Sequence, residues 1–288
     1  MLLLFAVAAI LSFLLSLTVK RLSTAARVLD MPDFRRKLNT VPVPRLGGVA
    51  FFLAFFISLA LKSAYFGEVS ATDVTLLCSG GLSLLFGAAD DFFDLAPAQK
   101  LLFQALSAAL VTVILPTPYP AFITIPLVIL MMNAYNFIDG LDGLAAGLSL
   151  SSLLFFALVS VIFLHTGMGL TPILLFFALI GFLPLNAHPA RLYMGEAGSS
   201  TLGLTLAVLT LSLPTPYSLL SLAFSLIPLF DAVSAVPRRL LRGRSPFAPD
   251  RGHLHHRLLS LGLSHPAAAG LLVSLSVILS ITAILIAT

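Results

Sequence analysis

The residues best suited to chemistry in this 288-residue chain are carboxylates standing at the ends of long apolar runs. Asp90, Asp91 and Asp94 close one run, Asp139 and Asp142 another, and Glu196 and Asp231 sit at the edges of two more. Any one of them alone reads as a solvated surface charge. Gathered on one face, they would repel one another unless spaced apart or bridged by cations. A hard divalent cation meets that need, and Mg2+ is commonly held by one or two carboxylates plus substrate phosphates. In NAYNFIDGLDGLAAG, Asn133, Asn136, Asp139 and Asp142 recur at every third position, which aligns them along one edge of a helical end. In MGEAGSSTLG, Gly195, Gly198, Ser199, Ser200 and Thr201 open a helix whose bare backbone N–H groups suit phosphate. The same small residues also suit capping and close packing between membrane helices, and the spacing leaves both readings open.

The elements that must position these groups are membrane helices. The chain is 59% apolar and only 10% charged, against roughly 25% charged residues in a soluble domain. That excludes a soluble single domain, a disordered chain and a nucleic-acid partner. The one cysteine, Cys78, lies in an apolar run, so neither a disulfide framework nor a cysteine metal site is available. About ten windows are long and apolar enough to span a bilayer: 1–19, 46–62, 73–89, 100–116, 120–137, 143–164, 170–187, 199–213, 217–236 and 266–287. The runs are continuous rather than alternating, which excludes a β-barrel. The expected fold is therefore all-α and polytopic, a single membrane domain over 1–288. Placing the segment after the first helix in the cytosol puts every Lys and Arg except Lys62 on that side. Both termini then lie outside, and only Glu68 and Asp73 among the acids join them.

The longest cytosolic loop, about 237–265, contains PRRLLRGRSPFAPDRGHLHHRL. Arg238 and Arg239 read as topology signals facing anionic lipid. His253, His255 and His256, flanked by Arg251 and Arg257, form a compact donor cluster suited to phosphate or nucleotide oxygens. H-x-H-H without cysteine or a spaced fourth ligand is a weak zinc signal.

Six collinear segments carry a resemblance that runs over nearly the whole chain: RRKLNTVPVPRLGG, GAADDFFDLAPAQKLLFQ, NAYNFIDGLDGLAAG, ARLYMGEAGSSTLG, PLFDAVSAVPRR and SPFAPDRGHLHHRL. Together they resemble the polyprenyl-phosphate N-acetylhexosamine-1-phosphate transferases, and HLHH with PLFD resembles the branch that transfers N-acetylglucosamine 1-phosphate. The resemblance implies an enzyme of a bacterial cytoplasmic membrane with its active site on the cytosolic face. Polyprenyl (undecaprenyl) phosphate would attack the sugar-bearing phosphate of a UDP-N-acetylhexosamine, giving polyprenyl-diphosphate-sugar and UMP. Mg2+ is the implied cofactor, with Mn2+ as the alternative, and a homodimer is admitted.

By the same resemblance, Asp90, Asp91 and Asp142 are catalytic, and Asp90 deprotonates or positions the lipid phosphate. Lys37, Arg45, Asn133, Asn136, Asp139, Arg191, His253, His255, His256 and Arg257 bind substrate, and Glu196, Asn136 and Asp231 hold the metal. The chain departs from the family pattern at Asn39, where histidine is usual, and at Glu196, where aspartate is usual. Direct attack is favoured over a phospho-aspartate intermediate, because a lipid phosphate is already ionised near neutral pH. The competing functional class is a transporter with an acidic cytosolic gate. Against it, the carboxylates lie at helix ends rather than mid-helix.

Overall fold

The computed structural model describes every residue except 33–40, 68, 165–168, 242, 244–251 and 288. Its architecture is a helical bundle whose only sheet, among the described residues, is a two-residue antiparallel pair. The helices are α1 (Leu2–Ala25), α2 (Gly47–Phe66), α3 (Ala71–Phe93), α4 (Pro97–Ile114), α5 (Ala121–Ile138) and α6 (Leu144–Ile162). They are followed by α7 (Leu170–Asn186), α8 (Gly195–Ser212), α9 (Tyr217–Leu241), the short α10 (Leu254–Ser260) and α11 (His265–Ala287).

Among the described residues, eight of these helices are long and apolar enough to cross a membrane. Two of the ten expected windows fall short for distinct reasons. Helix α7 has only 17 residues. Helix α8 is rich in Ser, Thr and Gly, yet every residue from Ala197 to Leu211 is buried. It is the central post of the bundle, packed by α2, α3 and α5, so it meets protein rather than lipid and tolerates polarity. Close backbone approach makes this packing feasible. A Cβ on Gly48 of α2 would collide with the backbone of Gly198, and one on Gly87 of α3 with that of Ala197. Small residues serve this purpose between membrane helices, where dispersion rather than the hydrophobic effect drives association.

Helix α1 runs for 24 residues, about 36 Å at 1.5 Å per residue, and ends where the chemistry is. Ser23 near its C-terminus donates to the carbonyls of Val28 and Arg45 at 2.7 and 2.6 Å. Strand β1 (Leu29–Asp30) pairs with β2 (Val43–Pro44), Leu29 opposite Pro44 and Asp30 opposite Val43. Helix α11 starts at the same end of the bundle with His265 and runs away from it, so Leu2 and Ala287 lie at the far end.

That far end carries Lys62, the one basic residue expected outside. It is 7% exposed and donates to Asp73 at 2.7 Å and to Thr171 at 3.0 Å, while Thr171 donates to the other Asp73 oxygen at 2.8 Å. Asp73 also completes a capping box with Ser70 at the start of α3. The cluster joins α2, α3 and α7. Removing one member of a buried pair strands the other charge, at about 3–5 kcal/mol. Lys62→Met should therefore lower stability by about 3 kcal/mol, and adding Asp73→Asn should recover most of that loss. Unfolding in mixed micelles checks both.

Candidate active site

The start of α8 sets the geometry. Gly195 sits at φ +72°, where a side chain would also strike the carboxylate of Asp91. The turn aims the first N–H groups of α8 at α3. Asp91 accepts from Glu196 N at 3.0 Å and from Ala197 N at 3.1 Å. Those donors have no partner within their own helix, so Asp91 caps α8 from a neighbouring element. It is 3% exposed, with an oxygen committed to each bond. Expected as a catalytic group, Asp91 has both oxygens engaged at the start of the helix that carries Glu196.

Glu196 is the hub. Its Oε2 accepts a short hydrogen bond from Asn136, and its Oε1 accepts from Ser200 at 2.6 Å. Lys100 Nζ lies 3.7 Å from Glu196 and donates to Asp90 at 2.6 Å. The other Asp90 oxygen accepts from Leu95 N at 2.7 Å. Sequence reasoning counted Lys100 only as a topology signal. Its place ten residues after Asp90, one helix on, is the clue that was there to use.

These groups open into a cavity of about 490 Å3, also lined by Asp30, Arg45, Asp94, Asp139, Asp142 and His256. Arg45 pairs with the exposed Asp94 at 3.1 Å. Carboxylates outnumber the cations Lys100 and Arg45, and the imbalance is felt at Asp139. Burial, followed by the charges of Asp91, Glu196, Asp142 and Asp30, pushes its pKa up to about 8. An all-oxygen donor set with surplus negative charge suits a hard divalent cation, and Glu196, Asp90, Asp139 and the Asn136 amide supply such oxygens to the cavity lining. Asp142 follows the α5–α6 turn, where its Oδ2 accepts from Ala190 N at 3.0 Å and meets His188 Nδ1 at 2.8 Å. The Tyr193 hydroxyl bonds the same carboxylate, and burial together with nearby acids raises its pKa. The 187–194 loop is pinned by Tyr193 N to Pro44 O at 2.8 Å and by Gly47 N to Tyr193 O at 2.9 Å.

The other expected residues are placed as follows. Asn133 donates to Gln104 and to Ile129 O, both at 2.8 Å, bracing α5 against α4 outside the cavity. Arg191 is exposed and donates to Pro184 O at 2.9 Å, and Arg257 is exposed; neither lines the cavity. Asp231, expected as a metal ligand, is 1% exposed. Its oxygens meet His253 Nδ1 at 2.8 Å and Leu254 N at 2.9 Å, so it anchors α10. His253 is correspondingly buried. His255 is packed so tightly on Gly140 that a Cβ there would overlap its ring. Burial, then the neighbouring His256 and His253, lowers the His255 pKa to about 3. Of the three histidines only His256 reaches the cavity. Lys37, Asn39 and Arg251 lie outside the described residues.

The glycosyl transferase family 4 pattern matches residues 74–213. Across 90% of this chain, and 75% of the relative, the sequence is 32% identical to the decaprenyl-phosphate N-acetylglucosaminephosphotransferase of Mycobacterium tuberculosis (strain CDC 1551 / Oshkosh). The chain belongs to the polyprenyl-phosphate N-acetylhexosamine-1-phosphate transferase family. It is a membrane phosphoglycosyltransferase. The enzyme of the same name from Mycolicibacterium smegmatis is 32% identical over 81% of this chain and 69% of its own length. The undecaprenyl-phosphate alpha-N-acetylglucosaminyl 1-phosphate transferase of Escherichia coli (strain K12) is 28% identical over 90% and 78%. The family match spans α3 to α8, the helices that carry Asp90, Lys100, Asn136 and Glu196.

If Asp91 serves this phosphoglycosyltransferase as the cap of α8, Asp91→Ala should cost about 1–2 kcal/mol of stability, the usual worth of a lost N-cap. Asp91→Asn, with one acceptor in place of two, should fall between. Unfolding in mixed micelles measures this, and unchanged stability in both variants would remove the cap assignment.

Proposed function

We propose that this enzyme transfers N-acetylglucosamine 1-phosphate from UDP-N-acetylglucosamine to undecaprenyl phosphate, with Mg2+ as cofactor. The supporting observation is one cavity at one end of the bundle that pairs a crowd of carboxylates with Lys100, Arg45 and His256, in a chain similar along its length to N-acetylglucosamine phosphotransferases. In this reading α7 and α8 also cross the membrane, making ten spans. The cavity then faces the cytosol of a bacterial cytoplasmic membrane, and both termini lie outside. The product would start a surface glycan such as lipopolysaccharide or teichoic acid.

The reaction joins two anions, so its main demands are charge neutralisation and in-line placement. An oxygen of the lipid phosphate forms a bond to the sugar-bearing phosphorus, and the bond from that phosphorus to the bridging oxygen breaks, releasing UMP. Bound Mg2+ would neutralise the diphosphate and hold it in line. Asp90 sits beside Lys100, so this pair positions the incoming lipid phosphate at the end of α3. Lys100 offers charge to the diphosphate, and Arg45 and His256 offer donors to charge growing on the leaving UMP. Asp91, through the start of α8, fixes the arm of Glu196. No residue need be phosphorylated: an ionised phosphate is already a nucleophile. A second reading within the family keeps the same chemistry with another UDP-sugar.

The test is UMP release by detergent-solubilised protein, given undecaprenyl phosphate and a panel of UDP-sugars. UDP-N-acetylglucosamine should give the highest kcat/KM. Absence of UMP with every UDP-N-acetylhexosamine, together with solute uptake into sealed vesicles, would overturn the reading in favour of transport. Glu196→Gln should raise the metal requirement about tenfold or more, since the amide oxygen is a weak ligand. Glu196→Asp should keep substantial activity. A metal titration of all three forms measures this, and a wild-type metal dependence in the Gln form would remove Glu196 from the ligand set and leave Asp90 and Asp139.

A further inference from the structure

Apart from the oxygen-rich centre, one end of the cavity gathers donors of a different kind. Asp142 follows α5, His188 stands in the loop between α7 and α8, and His265 opens α11. One ligand atom from each lies within 4.8 Å of the other two. We propose that Asp142, His188 and His265 form a binding site for a zinc-class divalent cation, separate from the carboxylate centre at Glu196.

Donor chemistry is the first argument. Two imidazoles and one carboxylate suit a borderline ion such as Zn2+, which readily takes nitrogen, whereas Mg2+ is bound through oxygen. Support around the ligands is the second. Ala190 N and the Tyr193 hydroxyl both hold the Asp142 carboxylate, the kind of outer contact that orients a metal ligand. The third argument is an unmet need. His265 Nδ1 is buried and has no hydrogen-bond partner among the described residues, an arrangement that costs free energy unless something binds the ring. Access is the fourth. The His188 side chain is 40% exposed, and all three residues line the cavity. Three protein ligands leave a fourth tetrahedral position open to whatever occupies it.

The 2.8 Å hydrogen bond between His188 Nδ1 and Asp142 holds one proton between two of the proposed ligands. Entry of the ion replaces that proton, which leaves to solvent, because a metal-bound imidazole nitrogen carries no hydrogen. The loop H-x-H-H is not the ligand set. His253 is tied to Asp231, and His255 is wedged on Gly140.

Co2+ titration of the full chain in detergent, without Mg2+, tests the site, because four-coordinate Co2+ with imidazole ligands absorbs visibly. Wild type should develop these bands with a single equivalent, and excess Zn2+ should erase them. His188→Ala and His265→Ala should weaken binding about 100-fold or more, and Tyr193→Phe about tenfold, as loss of an outer contact typically does. Glu196→Gln should keep the bands in full. Should an alanine variant fail to fold, His188→Gln and His265→Gln provide the same reading with the ring volume partly kept. Two results would overturn the proposal: a wild-type protein that shows no bands, or bands that survive both histidine substitutions and vanish with Glu196→Gln.

Discussion

The start of a helix inside a membrane protein exposes backbone N–H groups that lipid cannot satisfy, and the site depends on how this chain solves that at α8. Asp91, reaching across from α3, accepts two of those donors. The same contact fixes the height of α8 against α3, and Gly48 and Gly87 let the backbones close around it. Glu196 stands on the first turn of α8, so its carboxylate is placed by a backbone contact rather than by its own rotamer alone. Asn136, Ser200, Lys100 and Asp90 then follow as a chain of hydrogen bonds and charge contacts leading away from that point.

Electrostatics divides the bundle into two ends with opposite solutions. At the far end the Lys62, Asp73 and Thr171 cluster is closed, with each charge matched inside protein. At the cavity end the charges are open: carboxylates exceed cations, and Asp139 responds by holding its proton more tightly. A matched pair locks helices together. An unmatched set is a standing demand for a cation or for hydrogen-bond donors.

Much of this was legible in the sequence because charge is scarce in it. Where one residue in ten is charged, a carboxylate at the end of an apolar run is conspicuous, and Asp90, Glu196 and Asp139 were found that way. The helices followed from the same contrast, except that α8 disguised its central place by being polar. Linear spacing misled where rotation mattered. Asn133 and Asn136 are one turn apart, yet the first faces α4 and only the second meets Glu196. Residue type said nothing of burial: the His255 ring is packed against Gly140, away from the cavity that His256 lines. His188 and His265 gave no signal of partnership, because they lie 77 positions apart in the numbering and only packing of α11 beside the 187–194 loop brings them together.

The cavity draws on both extremities of the chain. Asp30 and Arg45 come from the segment just after α1, whereas His256 and His265 come from α10 and α11, more than 200 positions later. During synthesis, then, the residues that carry the carboxylates are made before α10 and α11, and His256 and His265 can join them only afterwards. A chain interrupted before α10 would keep Asp90, Lys100 and Glu196 and lose only the stretch of cavity wall that His256 and His265 supply, so such an interruption would separate the carboxylate centre from the rest of the binding surface.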